Sequence, residues 1–226
     1  MQDLRYGELA RTDLSAQGHR GFTCFLSEMN KPGIKVRPLL FMNGKHEYNE
    51  VFFDNVHIPE KNILGQVNQG WYIIMAGMDF ERTIDLGGVR RVLEELVEFC
   101  KETVNNGKTL AKHPLVRQKL AEFVIDIEAA RQWAYYVAWL QTHGRSSLAE
   151  ASGSKYFVTE LAVRLANAGV EIMGLYGTVK MGSKWAPLHG KFEELCQSSA
   201  GLTIAGGTTE LQKNVIAWRG LELPRS

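Results

Sequence analysis

The chain has 226 residues, enough for one large domain or two small ones, and its 45% hydrophobic content supports a sizeable core. Its 26 lysines and arginines nearly balance 25 aspartates and glutamates, so no global field draws it to nucleic acid or to an acidic membrane surface. No apolar run approaches membrane-spanning length, and the start, MQDLRYGELARTD, lacks the basic-then-apolar pattern of a signal peptide. Cys24, Cys100 and Cys196 are far apart, with no CxxC pair and no histidine at ligand spacing. That argues against a disulfide framework or a metal site, and for buried thiols in a cytoplasmic or other reducing compartment.

Up to about residue 66 the pattern is that of strands and turns. GFTCFLSE (21–28) alternates and is rich in β-branched and aromatic residues, NKPG is a turn, and GIKVRPLL (33–40) is a second strand. NGK is another turn and NEVFFDNVHIP (49–59) a third strand, so the segment 1–66 is expected to be a partial antiparallel β-domain, arranged as a meander. From Gly70 the period becomes helical, with Ile74, Met78, Val92 and Leu96 on one face, which predicts one long helix over 70–102.

After the turn residues NNGK, Pro114 stands where a helix would start. Val116, Leu120, Phe123, Ile127, Ala130, Ala134 and Val137 then recur at spacings of four and three, a seam suited to antiparallel bundle packing. A third helix is predicted over 150–174, stopping near Gly174 and Gly177, and a short one over PLHGKFEELCQ (187–197). In TIAGGTTELQKNVIAW (203–218) a glycine pair runs into a last helix. There Thr209 is expected as N-cap with Gln212 three residues on, and Leu211, Val215 and Trp218 form the inner face. The fold class is therefore α+β, mostly α, with the helical bundle occupying 67–226.

Taken together, ARTD, HRGFTCFLSEMNKPGIKVRPLLFMNG, NEVFFDNVHIPEKNILGQVNQGW, MDFERT and IAGGTTELQKNVIAWRGLELPR resemble the flavin-dependent acyl-CoA dehydrogenases, in that family's order along essentially the whole chain. The resemblance implies the end of the family's middle β-domain followed by its C-terminal four-helix bundle, and an enzyme whose front half lies outside this chain. It also implies FAD as cofactor, an acyl-CoA thioester as substrate, an electron-transfer flavoprotein as acceptor, and assembly into homo- or hetero-oligomers, dimers or tetramers.

In that family a carboxylate removes the α-proton while hydride leaves the β-carbon for the flavin, so the base must lie over the α-carbon with donors on the thioester carbonyl. The usual place for the base is the residue before the GT of the glycine loop, which here is Gly206. Some members carry it instead in an ER pair on the first bundle helix, and Glu81 matches that position. At 100° per residue Glu81 also falls near Ile74, Met78, Gly88, Val92 and Leu96, inside the apolar stripe, where burial would raise its pKa. A structural ion pair with a neighbouring arginine is the alternative reading of the same carboxylate.

Arg82 and Asp79 match positions on the CoA side of the site, and the alternatives there are a bundle salt bridge and a surface charge. Thr208 matches the threonine that contacts the flavin diphosphate, Gly207 permits close approach of backbone to ligand, and Glu210 stands beside the adenosine. VEIMGLYG resembles the loop that receives a neighbouring subunit's flavin. Gly174 and Gly177 match it, while Glu171 replaces a glutamine and Leu175 a glycine. Thr103 stands where the family has an arginine for the partner's flavin diphosphate, and Gln197 and Ser198 replace the RD pair ahead of the glycine loop. These departures motivate a second reading, a non-catalytic partner subunit of a heteromeric enzyme or an inactive remnant. The aromatic stretch ARQWAYYVAWL is expected either at a subunit interface or in an internal seam.

Overall fold

In the computed structural model, which describes residues 5–81 and 86–225, the chain divides into two units, Met1–Phe80 and Glu81–Ser226. In the first, Arg5–Arg11 (β1) runs antiparallel to Phe22–Glu28 (β2), from Arg5 opposite Glu28 to Arg11 opposite Phe22. The other edge of β2 pairs with the short strand Ile63–Leu64 (β5), giving the order β1-β2-β5. Ile34–Leu40 (β3) and His46–Phe53 (β4) form a separate antiparallel hairpin.

The expected meander is thus corrected: β2 gives its second edge to β5, not to β3. RYGELAR was not legible as a strand because a central glycine and three charged residues break its alternation, and its pairing with β2 is a tertiary matter. A hydroxyl pair, one buried and one exposed, ties this sheet to the turn ahead of the following helix. Thr12 Oγ1 lies 2.7 Å from Thr23 Oγ1 and donates to Asn68 Oδ1 at 2.8 Å, while the Asn68 backbone N–H donates to Thr23 Oγ1 at 2.8 Å. Gly70–Glu81 (α1) then starts directly against β2, where a Cβ on Gly70 would collide with the backbone of Thr23 and Cys24.

The second unit holds Leu86–Glu102 (α2), Pro114–Thr142 (α3), Leu148–Met173 (α4), Lys191–Leu202 (α5) and Thr209–Val215 (α6), the last continuing into one π turn, Ile216–Gly220. The single helix expected over 70–102 is described as α1 and α2, the residues between them lying outside the described ones. Between α2 and α3, Val104–Asn105 (β6) and Lys108–Thr109 (β7) form a tiny hairpin around Asn106 and Gly107, both at positive φ, as a two-residue NG turn requires. The short helix read from Pro187 begins four residues later, because Leu188, His189 and Gly190 all have positive φ.

Helix α4 is the hub, packing on α2, α3, α5 and α6. Leu120, Phe123, Ile127, Ala130 and Val137 are buried along the predicted α3 seam, and the first three meet Leu93, Leu96 and Cys100 of α2, Leu161, Leu165 and Ala168 of α4 and Phe192 of α5 in the core. The approach of α5 to α4 depends on Gly169: a Cβ there would run into the Phe192 ring. Within the aromatic stretch Val137 and Leu140 face inward, as an internal seam requires, and Tyr135, Tyr136 and Trp139 are exposed. Among the described residues no helix is long and apolar enough to cross a membrane.

Candidate functional site

The loop Thr203–Thr208 joins α5 to α6 and carries the glycine pair. Gly206 sits at φ +65° and Gly207 at φ +101°, backbone regions open to glycine and costly for other residues. The two differ in room. A Cβ at Gly206 meets nothing within 4 Å, whereas one at Gly207 lies 2.7 Å from Gln212 Nε2. The loop closes on itself through the Thr209 N–H, which donates to the Thr203 carbonyl at 3.0 Å.

Two buried side chains reach the loop from below. Gln212, 1% exposed, donates from Nε2 to the carbonyls of Gly206 at 3.0 Å and Gly207 at 3.1 Å. Lys155 of α4, 2% exposed, donates from Nζ to the carbonyl of Gly207 at 2.8 Å and of Thr203 at 3.3 Å. Lys155 escaped the sequence reading. The only signal for it was a lysine inside the small, apolar run ASGSKYFV, since a fully buried lysine is rare unless its donors are used.

The start of α6 differs from expectation by one residue. Thr208 is the N-cap, its Oγ1 accepting from the Leu211 N–H at 3.3 Å, and Thr209 turns its hydroxyl onto Glu160 Oε1 at 2.9 Å. The expected inner face is corrected as well: Thr209 and Gln212 face inward, where α6 packs on α4, and Leu211, 55% exposed, faces out. An apolar-moment argument fails here because this inner face is polar. Glu210 is exposed, and its carboxyl is held below the usual range by its own backbone N–H and by the Thr208 hydroxyl.

The second glycine stretch lies at the end of α4. Gly174, at φ +62° and ψ −141°, terminates the helix, its N–H donating to the Glu171 carbonyl. Gly177 is buried against the last turn, where a Cβ would lie 2.7 Å from the Val170 carbonyl oxygen. Glu171 forms an ion pair with Lys119 of α3. Both line a cavity of about 340 Å³ with Asn105 of the small hairpin and His113, whose Nε2 is buried without a partner among the described residues. The fold therefore brings Glu171 to one cavity with the hairpin that starts just past Thr103. The glycines there have a helix-capping and close-packing role of their own.

The residues present fit a flavin at the glycine loop: backbone that a ligand can approach closely, a threonine hydroxyl at a helix start, and a buried Gln212 Oε1 with no partner among the described residues. They fit poorly at the α4 end, where an anionic Glu171 replaces a neutral amide and Lys119 is already committed to it. Glu81 is the last residue of α1. Its side chain and that of Asp79, like Arg82 as a whole, lie outside the described residues. A further, apolar cavity of about 310 Å³ lies between α2, α4 and α5, lined by Val89, Val92, Val158, Leu165, Leu195 and Leu202 among others.

Comparison with known proteins agrees with this architecture. Residues 68–221 match the family model for the acyl-CoA dehydrogenase C-terminal domain. The acyl-CoA dehydrogenase IpdE1 of Mycolicibacterium smegmatis is 30% identical over 222 residues, covering 96% of this chain and 53% of the relative. An acyl-CoA dehydrogenase of Bacillus subtilis is 32% identical over 207 residues, covering 89% and 52%. Among solved structures, the ChsE4-ChsE5 complex from Mycobacterium tuberculosis superposes with a TM-score of 0.87 at 26% identity, covering 98% of this chain and 58% of that one. The chain thus spans about half the length of the curated relatives it matches. With the bundle, the glycine loop and the family model in agreement, the chain belongs to the acyl-CoA dehydrogenase family and carries that family's C-terminal domain.

Proposed function

We propose that this chain forms the bundle side of an FAD-dependent acyl-CoA dehydrogenase site, acting on an acyl-CoA thioester with Glu81 as the base. The observation that carries the reading is the space at Gly206, where a side chain has room and none is present, so the loop contributes backbone and the acid must come from elsewhere. When bound, FAD supplies the acceptor for the hydride leaving the β-carbon. The chain's own residues do the rest. Glu81 takes the α-proton, and the Gly206, Gly207 and Thr208 backbone would hold the flavin together with the Thr208 hydroxyl once Glu210 releases it, Glu210 itself standing beside the adenosine. Arg82 and Asp79 are assigned to the CoA portion by their match to the family's positions, and Gly174 and Gly177 to the α4 end. An electron-transfer flavoprotein would be the acceptor such a site serves.

The test is to purify the protein alone and co-expressed with a chain supplying the segment its relatives carry ahead of this region, and to follow the flavin absorbance on anaerobic addition of mixed acyl-CoAs. Bleaching that falls by about 10²–10⁴-fold in rate in Glu81→Gln, the usual contribution of a positioned base, and recovers in part in Glu81→Gln/Gly206→Glu is the expected result. Undiminished bleaching in Glu81→Gln refutes Glu81 as the base.

A second reading, a partner subunit in a hetero-oligomer, is favoured by the Lys119–Glu171 pair and by Thr103, which together weaken the seat this chain would offer a neighbour's flavin. Assembly into a dimer or tetramer through the exposed Tyr135, Tyr136 and Trp139 face belongs to both readings. A monomeric mass by light scattering would remove it.

A further inference from the structure

The carbonyls of the glycine loop are more fully specified than its ligand-facing side. Gly206 and Gly207 both turn their C=O groups toward buried donors, Gln212 alone for the first, Gln212 and Lys155 for the second. In a planar trans peptide the C=O and the following N–H point in opposite directions. Fixing these two carbonyls inward therefore fixes the N–H groups of Gly207 and Thr208 outward, side by side. In extended chain consecutive peptides alternate in direction, and the φ of +101° at Gly207 turns these two the same way here. Neither N–H has an acceptor among the described residues.

We infer that Lys155 is a positioning residue, which pins the Gly207 and Thr203 carbonyls so that the N–H groups of Gly207 and Thr208 stand as a preformed donor pair for an anionic oxygen of the bound ligand. Three features single it out. It comes from α4, the hub of the bundle, so it references the loop to the helix that packs on α2, α3, α5 and α6. It is fully buried, and its Nζ bridges both ends of the loop, from Thr203 at the exit of α5 to Gly207 before α6. Gln212 cannot substitute for it, being part of α6 and therefore moving with the loop's own far end. A donor pair set in advance spares the ligand the cost of ordering the loop. The inference rests on the glycine loop being a ligand seat, as proposed above.

The test uses the full chain with Lys155→Met, which keeps the stem and removes the donors, and Lys155→Arg, which keeps donors on a longer stem. Amide hydrogen exchange at Ala205 and Thr209, whose N–H groups close the loop on the carbonyls of Gly201 and Thr203, reads the anchoring directly. FAD titration reads the seat. In Lys155→Met both amides should exchange about 10-fold faster, as for loss of one hydrogen bond involving a charged group, with the Phe123 and Ile127 amides of α3 unchanged. Affinity for FAD should fall by a similar factor. Lys155→Arg should lie between Lys155→Met and the wild type.

Unchanged exchange at Ala205 and Thr209 overturns the inference. Faster exchange with FAD affinity unaltered shows that Lys155 anchors the loop while the loop is no ligand seat, which overturns the proposed function instead. Should Lys155→Met not fold, Gln212→Met offers the complementary test. It leaves Lys155 in place, and the inference requires Thr209 to stay protected while Ala205 loosens by less than 10-fold; loss of protection at both amides overturns it.

Discussion

At Gly206–Gly207 and again at Gly174–Gly177 the backbone takes conformations that suit glycine, yet the two stretches are held by different forces. The first is suspended between helices, its carbonyls fixed by Lys155 and Gln212 and its outer side the one proposed to meet a ligand. The second is the end of α4 itself: Gly174 caps the helix, Gly177 packs on its last turn, and the adjoining cavity is crossed by the Lys119–Glu171 pair. Glycine in a sequence thus marks a strained or crowded backbone. Whether the strain serves a ligand or merely ends a helix depends on which groups satisfy the neighbouring carbonyls.

The largest effects should separate the two stretches. Gly207→Ala forces a side chain onto φ +101° and onto Gln212 Nε2, at a cost of about 1–3 kcal/mol from the backbone alone. It should lower the melting temperature and abolish FAD retention. Gly174→Ala carries a comparable backbone cost, about 1–3 kcal/mol at φ +62° and ψ −141°, and should lower the melting temperature while leaving FAD titration unchanged. Equal loss of FAD in both variants would break the comparison.

Thr208→Ala comes next, at about 1 kcal/mol for a lost N-cap. Because Thr208 and not Thr209 caps α6, the cost should show in the Leu211 amide, whose exchange the Thr208 hydroxyl now slows. Thr209→Ala should instead be felt through Glu160 of α4.

Much of this was readable from the sequence, and the failures share a cause. The α3 seam and the NNGK turn follow from local rules, 3.6-residue apolar periodicity and the positive φ that Asn-Gly supplies, and both appear where expected, the turn closing a small hairpin that was not read. The glycine loop was legible as a site because a resemblance covers it residue by residue. The meander, the cap of α6 and Lys155 were not, since each is decided by partners distant in sequence. β5 competes for the edge of β2, Lys155 and Gln212 converge on carbonyls that leave no mark in side-chain patterning, and a polar inner face gives no apolar moment.

A smaller effect is expected at the α4 end. The Lys119–Glu171 pair is exposed on both sides, so Glu171→Gln should change stability by no more than about 1 kcal/mol. Its value lies in the cavity. Removing the carboxylate frees Lys119, and together with Thr103→Arg it converts the surroundings from balanced to cationic. If the closed seat is what limits donation to a neighbour, the flavin-to-chain ratio of the assembled protein should rise in the double variant, and an unchanged ratio would put the limit elsewhere.

The smallest effect concerns Glu210, and its sign follows from the groups around it. Its folded carboxyl titrates below the ordinary carboxylate value, chiefly because its own backbone N–H and then the Thr208 hydroxyl bind the charged form. A carboxyl shifted downward stabilises the folded state above its unfolded pKa, and that contribution is lost as pH falls through the lower, folded value. Glu210→Gln should therefore melt slightly below the wild type at neutral pH, and the two should converge in acid. The same carboxylate occupies the Thr208 hydroxyl that the flavin diphosphate would need. Glu210→Gln should then bind FAD more tightly than the wild type near pH 7, with the difference shrinking at lower pH. A variant that melts lower yet binds FAD better would show that the chain's own carboxylate and the ligand compete for one donor, a competition with no counterpart at Gly174.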